Sequence, residues 1–288
     1  MIWIPLALLT AFLQSVRTVM EKKMDHKVGP LAIMWTSGVV GLPVFAGFAW
    51  MDGFTVTSNW FWLLAFVASI GGLISHAIYV HAVQTYDISK VIPITVFSPL
   101  LILLGEILFL GAYPTPLGFF GICILIAGAL YFFWDAEDEH TPLDVLKNLV
   151  HERDSLQMFL AIVMMAGLGV LDKVGLTLSS PGMYLFTAYA MYVGMLCGYF
   201  FMYPERLVGV FQFPKFALGA SVFNAMMFMA QTTAMTYTLV ANVIAVKRVA
   251  VLFTILYGYW FFGETQIGHR LKAALVMIGG VVLITLYG

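Results

Sequence analysis

The sequence predicts an all-α integral membrane protein, with ten transmembrane helices arranged as two inverted five-helix repeats. Three observations lead to this fold class. Of the 288 residues, 61% are hydrophobic and only 10% are charged, too few charges to cover the surface of a soluble domain. The apolar residues form ten long runs, and one segment of the chain recurs 152 positions later. The lipid bilayer is therefore the expected solvent.

The ten apolar runs have the length of membrane-spanning helices. A helix needs about 20 mostly apolar residues to cross a bilayer, whereas a transmembrane barrel strand needs about ten that alternate in polarity. The runs are long and do not alternate, which favours helices. They cover residues 2–21, 31–50, 60–84, 89–110, 116–134, 156–176, 182–203, 213–236, 239–262 and 266–287.

The duplication divides the chain into two halves. We expect a first five-span repeat at 1–134, an acidic hydrophilic linker at 135–155 and a second five-span repeat at 156–288. An odd number of spans makes the second repeat enter the membrane from the opposite side, so the repeats are inverted, as in many secondary transporters. Identical residues at the offset of 152 include Phe61 and Phe213, Ala82 and Ala234, Val91 and Val243, Gly111 and Gly263, and Gly128 and Gly280.

Glycines and prolines inside the spans predict where helices pack closely and where they bend. Small residues let helices approach closely, and a proline removes a helix hydrogen bond and can form a kink. We expect close packing at Gly118, Gly121 and Gly128 in span five, at Gly194 and Gly198 in span seven, and at Gly279 and Gly280 in span ten. We expect kinks or hinges at Pro43, Pro93 and Pro99.

Lysines and arginines predict the orientation. They occur in the loops that follow spans one, three, five, seven and nine, and the opposite loops carry essentially none. The positive-inside rule places the first set in the cytoplasm and both termini outside. We expect a multi-pass protein of the bacterial inner (plasma) membrane. The cations are Lys22, Lys23, Lys27, Lys90, Lys147, Arg153, Arg206, Lys215, Arg270 and Lys272.

Several function classes are disfavoured. With a net charge of −1 and no basic patch, the chain offers nothing to a nucleic acid. Cys123 and Cys197 stand alone, without metal-ligand spacing. The phosphate-binding motif G-x-x-x-x-G-K-[ST], the zinc motif H-E-x-x-H and credibly spaced paired carboxylates are missing from the sequence. We therefore expect no cofactor, no metal and no enzymatic activity.

Charged residues inside a span are costly and are functional candidates by default. Lys247 and Arg248 lie in span nine, about 12 Å from its start at 1.5 Å per residue. Because their counterparts in the first repeat are Thr95 and Val96, the charge belongs to one half only. One interpretation is that the pair binds an anionic substrate group such as phosphate or carboxylate. The other is that it pairs with a buried acid, Asp172 or Glu106, and the two interpretations are compatible.

Other polar residues are candidates for the same cavity. In span one, Gln14 and Arg17 share a helix face with Thr10 and Glu21. The remaining substrate-binding candidates are Thr95, His76, Tyr79, Asn224, Gln231 and Asn242, and the candidates for coupling or ion pairing are His76, Asp172 and Glu106. For His76 a hydrogen-bonded core role is the alternative, and for Asn224 and Gln231 it is cross-linking of helices.

The whole chain resembles the drug/metabolite transporter superfamily, and within it the EamA-type ten-span proteins. The resemblance rests on the five-plus-five duplication, on Ala82 and Ala234, on Gly263–Glu264 and on Gly279–Gly280. Residues 240–252 are also similar to the ninth span of triose-phosphate and related sugar-phosphate translocators. In that family a Lys-Arg pair binds the phosphate, which implies the same role for Lys247 and Arg248. The third cationic ligand of that family has no assured counterpart here, since Lys90 lies at the start of its span.

These observations favour a secondary transporter for a small organic anion, with phosphorylated metabolites among the candidates. A proton or an exchanged anion could provide the coupling, and the oligomeric state is left open. The alternative is an exporter of amino acids or other neutral metabolites in which the Lys-Arg pair is structural. A membrane-embedded enzyme or receptor is the third hypothesis, disfavoured because no catalytic constellation is visible.

Overall fold

The computed structural model describes residues 2–24, 28–85, 97–133, 153–250, 253 and 267–287. Within these residues the regular structure is helical, apart from one isolated bridge between Val56 and Ser179. The helices follow the predicted apolar runs. They are α1 Trp3–Lys22, α2 Pro30–Asp52, α3 Trp60–Thr85, α4 Ser98–Gly105, α5 Pro116–Phe133, α6 Arg153–Leu178, α7 Pro181–Met202, α8 Pro214–Tyr237, α9 Val240–Lys247 and α10 Ile267–Tyr287.

Five of these helices are long and apolar enough to cross a membrane: α1, α2, α3, α6 and α7. A sixth candidate is α8 taken with the 3-10 segment Pro204–Gln212, which meets it at 97°. Shorter apolar helices cover Ser98–Leu110, Pro116–Gly128 and Leu275–Tyr287. The all-helical membrane class is confirmed in this part of the chain. The linker predicted at 135–155 lies outside the described residues up to 152, and α6 begins at Arg153.

The chain divides into two compact units whose bounds differ from those of the two predicted repeats. Unit I combines Ile78–Val170 with Thr238–Gly288, and unit II combines Ile2–Ala77 with Leu171–Tyr237. Each unit therefore takes residues from both halves of the sequence. Helices α4, α5, α9 and α10 belong to unit I, and α1, α2, α7 and α8 belong to unit II.

Glycines bring α5 and α10 together in unit I. A Cβ on Gly280 would lie 2.6 Å from the Leu125 nitrogen and 2.7 Å from the Gly121 oxygen, and one on Gly128 would lie 2.9 Å from the Met277 nitrogen. Real Cβ atoms do not come so close to backbone, so only glycine permits this approach. The expected packing is confirmed at Gly121, Gly128 and Gly280. It is wrong at Gly279, where a Cβ would meet nothing within 4 Å.

In unit II, α1 packs along α8 and α2 packs along α7. At Gly182, in the first turn of α7, a Cβ would lie 2.5 Å from the Ala49 nitrogen. The Gly182 N–H donates to Asp52 Oδ2 at 2.8 Å, so the carboxylate at the end of α2 caps α7. The close packing expected at Gly194 and Gly198 is wrong within the described chain, since both face outward with nothing within 4 Å of a Cβ.

The prolines lie at different places in their helices, and α4 ends in an irregular turn. Pro43 lies inside the continuous helix α2. Pro99 lies in the first turn of α4, where its missing N–H costs no helix bond, so it starts this helix and does not interrupt it. Pro93 lies outside the described residues. After α4 the chain makes a π-helical turn, Glu106–Leu110, and stops at Gly111, whose φ of 62° is left-handed.

Candidate functional site

The Lys247–Arg248 pair lies where α9 ends. The expected continuous helix over 239–262 is interrupted, because α9 stops at Lys247. The Arg248 N–H reaches both the Ile244 and Ala245 carbonyls, at 3.3 and 3.0 Å, and the Val249 N–H reaches Val246 at 3.0 Å. These bonds to the third preceding residue tighten the turn and end the α-helical pattern. The two cations therefore lie at the negative end of the helix dipole.

Only part of the Arg248 guanidinium group forms a hydrogen bond with a described group. Its Nη2 donates a hydrogen bond to the Ser98 hydroxyl, at the start of α4. Tyr79 interacts with the guanidinium electrostatically. The Nε atom is buried and lacks a hydrogen-bond partner within the described structure. A buried donor without a partner is costly and calls for an explanation. Lys247 beside it is half-buried.

Asn242, in α9, has a buried acceptor atom without a described partner, whereas Arg248 has a buried donor atom without one. Asn242 has no exposed surface, and its Nδ2 donates to the Thr238 hydroxyl at 3.1 Å. Its Oδ1 is buried and accepts no hydrogen bond from any described group. Helix α9 and the residue that follows it therefore hold one buried acceptor and one buried donor, six positions apart, that form no hydrogen bond with a described group.

Glu106 binds the opposite end of α9. Its Oε1 accepts from the Val240 N–H at 2.7 Å and its Oε2 from the Ala241 N–H at 3.0 Å. A carboxylate satisfies orphan donors and complements the positive end of the helix dipole. The sequence suggested Glu106 as a coupling or ion-pairing group. The structure gives both of its oxygens a capping role, which sequence reasoning missed.

The hydrogen bonds of Ser98 and Glu106 hold α4 against α9. Ser98 and Glu106 mark the two ends of the eight-residue helix α4, and Arg248 and Val240 mark the two ends of the eight-residue helix α9. Since Ser98 contacts Arg248 while Glu106 contacts Val240, the helices run antiparallel in one register. Helix α4 and the interrupted helix α9 are thus joined at both ends by polar contacts within unit I.

A second polar cluster lies in unit II around Arg17. Its Nε donates to Glu21 at 2.7 Å, and its Nη1 donates to the Asn224 oxygen at 2.8 Å. The Asn224 amide in turn donates to the Tyr189 hydroxyl at 3.3 Å. Arg17 also interacts electrostatically with His76. These hydrogen bonds link α1, α7 and α8. The substrate-binding role expected of Arg17, Asn224 and His76 stays a prediction.

Two neighbouring charges in α6 make separate contacts in unit II. Asp172 accepts a hydrogen bond from the Tyr184 hydroxyl of α7. Lys173 donates to the Met235 carbonyl in the last turn of α8, where a cation complements the helix dipole. Sequence reasoning singled out Asp172 but missed Lys173. The rule that marks ionisable residues inside spans applies equally to both.

The remaining candidates are placed without a defined role. Gln231 is buried and Gln14 is half-buried, both in unit II, and Tyr79 packs in unit I against Ala82 and Met158. Thr95 lies outside the described residues. The described part of the chain contains no group of three or more His, Cys, Asp or Glu side chains that could hold a metal ion.

Comparison with known proteins finds a family model that matches the first part of the chain. Residues 1–134 match the model of the EamA-like transporter family, which is part of the drug/metabolite transporter superfamily. Over these residues the chain is similar to the EamA-like transporter family. This confirms the resemblance stated for the sequence, and the matched residues coincide with the first predicted repeat. An EamA-like membrane transporter also agrees with the apolar helices described above.

The fold of the chain recurs among solved structures. One, titled "Crystal structure of protein", superposes with a TM-score of 0.73 at 16% sequence identity, covering 99% of this chain and 96% of that chain. At this identity the likeness establishes the fold alone. No curated protein matches the sequence.

Proposed function

We propose that this EamA-like protein is a secondary transporter that moves a small organic anion, including phosphorylated metabolites, by alternating access. Lys247 and Arg248 form its anion site. The observation that carries this is the buried Arg248 Nε without a hydrogen-bond partner, beside Ser98 at the end of α9. An anionic oxygen would satisfy this donor and gain a charge-assisted bond. Interrupted helices are where transporters commonly bind substrates.

We propose further that the ten helices are ten spans in two inverted repeats. A contact between α5 and α10 supports an internal two-fold relation. Gly128 packs on Met277, and Gly280 packs on Leu125. Position 280 is 128 plus 152, and position 277 is 125 plus 152. The two contacts therefore join the same pair of repeat positions, with the two halves of the chain exchanged. Such an exchange is expected of a pseudo-two-fold axis. Alternating access would follow from movement of the repeats.

Ligand binding to the purified full-length protein tests the anion site. The thermal unfolding midpoint would be measured with inorganic phosphate, sugar phosphates, dicarboxylates, amino acids and nucleosides. A ligand that binds the folded state raises the midpoint with concentration. We expect anions to raise it in the wild type but not in the Lys247→Met/Arg248→Met variant. The matched control is Lys272→Met, which removes an exposed cation from α10 and should keep the response.

Movement across the membrane requires its own measurement. The ligand found in the binding screen would be followed in proteoliposomes, with an opposing gradient of the same anion or of protons. Uptake driven by the anion gradient indicates exchange, and uptake driven by protons indicates proton coupling. Binding of the anion with no uptake under either gradient would contradict a transporter and favour a receptor.

A second candidate keeps transport but changes the substrate. Arg248 already bonds to Ser98, and both cations lie at the C-terminal end of α9, where positive charge stabilises a helix. These contacts favour a structural pair in an exporter of amino acids or other neutral metabolites. In that case amino acids raise the midpoint, and the Met variant keeps that response.

A further inference from the structure

The 3-10 segment Pro204–Gln212 in unit II lies across the end of a candidate span. It meets α8 at 97°, and only Phe213 separates the two. Helix α8 has 24 residues, about 36 Å at 1.5 Å per residue, which is enough to cross a bilayer. If α8 runs across the membrane, a segment perpendicular to it lies along the membrane plane. The 3-10 segment thus has the orientation of an interfacial helix.

The segment has an inner and an outer apolar face. Leu207, Val210 and Phe213 pack on a hydrophobic cluster that includes Phe200 and Leu196. On the outer side, Val208 is 57% exposed and Phe211 is 67% exposed. A bulky aromatic side chain with this exposure, next to a backbone already anchored by its other face, can insert into the boundary between headgroups and acyl chains.

Exposed cations lie near the 3-10 segment. The exposed Arg206 side chain lies over two rings, 5.7 Å from the centre of Tyr199 and 5.0 Å from that of Tyr203, and donates a hydrogen bond to the Tyr199 hydroxyl. Lys215 is exposed at the start of α8. Lys23, also exposed, lies 5.7 Å from the ring centre of Phe216. One acid, Glu205, shares this surface.

From these contacts we propose that the surface formed by residues 201–215 and Lys23 binds the anionic phospholipid layer. Arg206 is the phosphate ligand. Its guanidinium is held in place by two aromatic rings, and a planar fork of donors suits phosphate oxygens. Tyr199 and Tyr203 are residue types that accumulate at the headgroup level. Val208 and Phe211 enter the acyl boundary beside it. This surface does not include Lys247 or Arg248, and its role stands or falls independently of the transported substrate.

Lipid titration of the purified full-length protein tests the charge requirement. Phosphatidylglycerol or phosphatidylcholine would be added to detergent micelles, and the thermal unfolding midpoint recorded. Phosphatidylglycerol should raise the wild-type midpoint more than phosphatidylcholine does. The Arg206→Gln/Lys215→Gln variant should lose most of that difference, and Lys272→Gln should retain it. Equal responses to the two lipids in the wild type, or an unchanged preference in the double variant, would overturn the proposal.

Depth in the membrane provides a second test that does not depend on the double variant. A spin label at Phe211→Cys, in a variant lacking Cys123 and Cys197, would be measured in phosphatidylglycerol nanodiscs. We expect collisions with oxygen to exceed those with a water-soluble nickel complex, as at the acyl boundary. Free access of the nickel complex to position 211 would show a surface open to soluble partners and overturn the lipid assignment.

Discussion

Glu106 has no exposed surface, and its two carboxylate oxygens accept hydrogen bonds from the first two N–H groups of α9. A carboxylate can accept from two donors at once, whereas an amide presents one oxygen and one NH₂ group. The NH₂ group would face a backbone N–H and repel it. The charge on Glu106 therefore contributes to the packing of α9 whether or not this residue takes part in coupling.

Glu106→Gln should lower the free energy of unfolding by about 2 kcal/mol, because one charge-assisted bond is lost and one donor is left unpaired. Thermal unfolding in detergent measures this. The matched control is Glu205→Gln at an exposed position, which should stay within about 0.5 kcal/mol of the wild type. An unfolding midpoint for Glu106→Gln equal to that of the control would show that the cap does not stabilise the fold.

Arg248→Lys separates charge from geometry at the proposed anion site. The lysine keeps the positive charge but loses the fork of donors that bonds to Ser98 and, in the proposed site, to the anion. Loss of one hydrogen bond to a charged group costs about 1.5 kcal/mol, so anion affinity should fall about tenfold. Arg248→Met should abolish binding. Isothermal titration with the best anion from the screen provides the values, and equal affinity in wild type and Arg248→Lys would contradict a guanidinium ligand.

Individual site residues were partly predictable from sequence. An ionisable residue inside an apolar run is visible without a structure, which is how Arg17, Glu106, Asp172, Lys247 and Arg248 were found. Their partners were not visible, because Glu106 reaches α9 across 134 positions of sequence and Arg17 reaches Asn224 across 207. Whether a charge caps a helix or faces a substrate depends on such contacts.

Single glycines decide how closely α5 and α10 pack. Gly280→Ala should destabilise the protein by about 1–3 kcal/mol, because its Cβ would overlap the Leu125 and Gly121 backbone. The adjacent Gly279→Ala is a matched control, since its Cβ meets nothing within 4 Å. Removing a glycine from a helix there should be neutral or stabilise by up to about 1 kcal/mol. Chemical denaturation of both variants checks the difference, and equal unfolding midpoints would show that the contact is not tight.

At the scale of the helix, hydrophobic length predicted where elements begin and end but not how they are interrupted. The apolar runs at 31–50 and 182–203 correspond closely to α2 and α7. The π-helical turn after α4 begins at Glu106, and the turn after α9 holds Lys247 and Arg248. A charge in an apolar run is visible in the sequence, but it does not show whether the helix stops there. Likewise, Gly121 and Gly194 look equivalent in sequence, and only the neighbouring helix distinguishes the packed glycine from the outward-facing one.

For the whole molecule, sequence repeats and compact units are different divisions of the same chain. The duplication predicts two halves, whereas unit I and unit II each contain segments of both. Such units are expected of the proposed inverted repeats, because the contacts Gly128–Met277 and Gly280–Leu125 join corresponding positions of the two predicted repeats. Sequence similarity detects the repeat but carries no information about which helices pair.

The proposed topology makes a prediction for the whole chain. Ten spans with a cytoplasmic linker place both termini outside. Alkaline phosphatase, which is active only outside the cytoplasm, should therefore be active when fused after Gly288 and inactive when fused within residues 135–152. Green fluorescent protein, which fluoresces only when it folds inside, should give the reverse. If both sites report the same side, the second half contains an even number of spans. The repeats could then not be inverted, and the two-fold contact between α5 and α10 would need another origin.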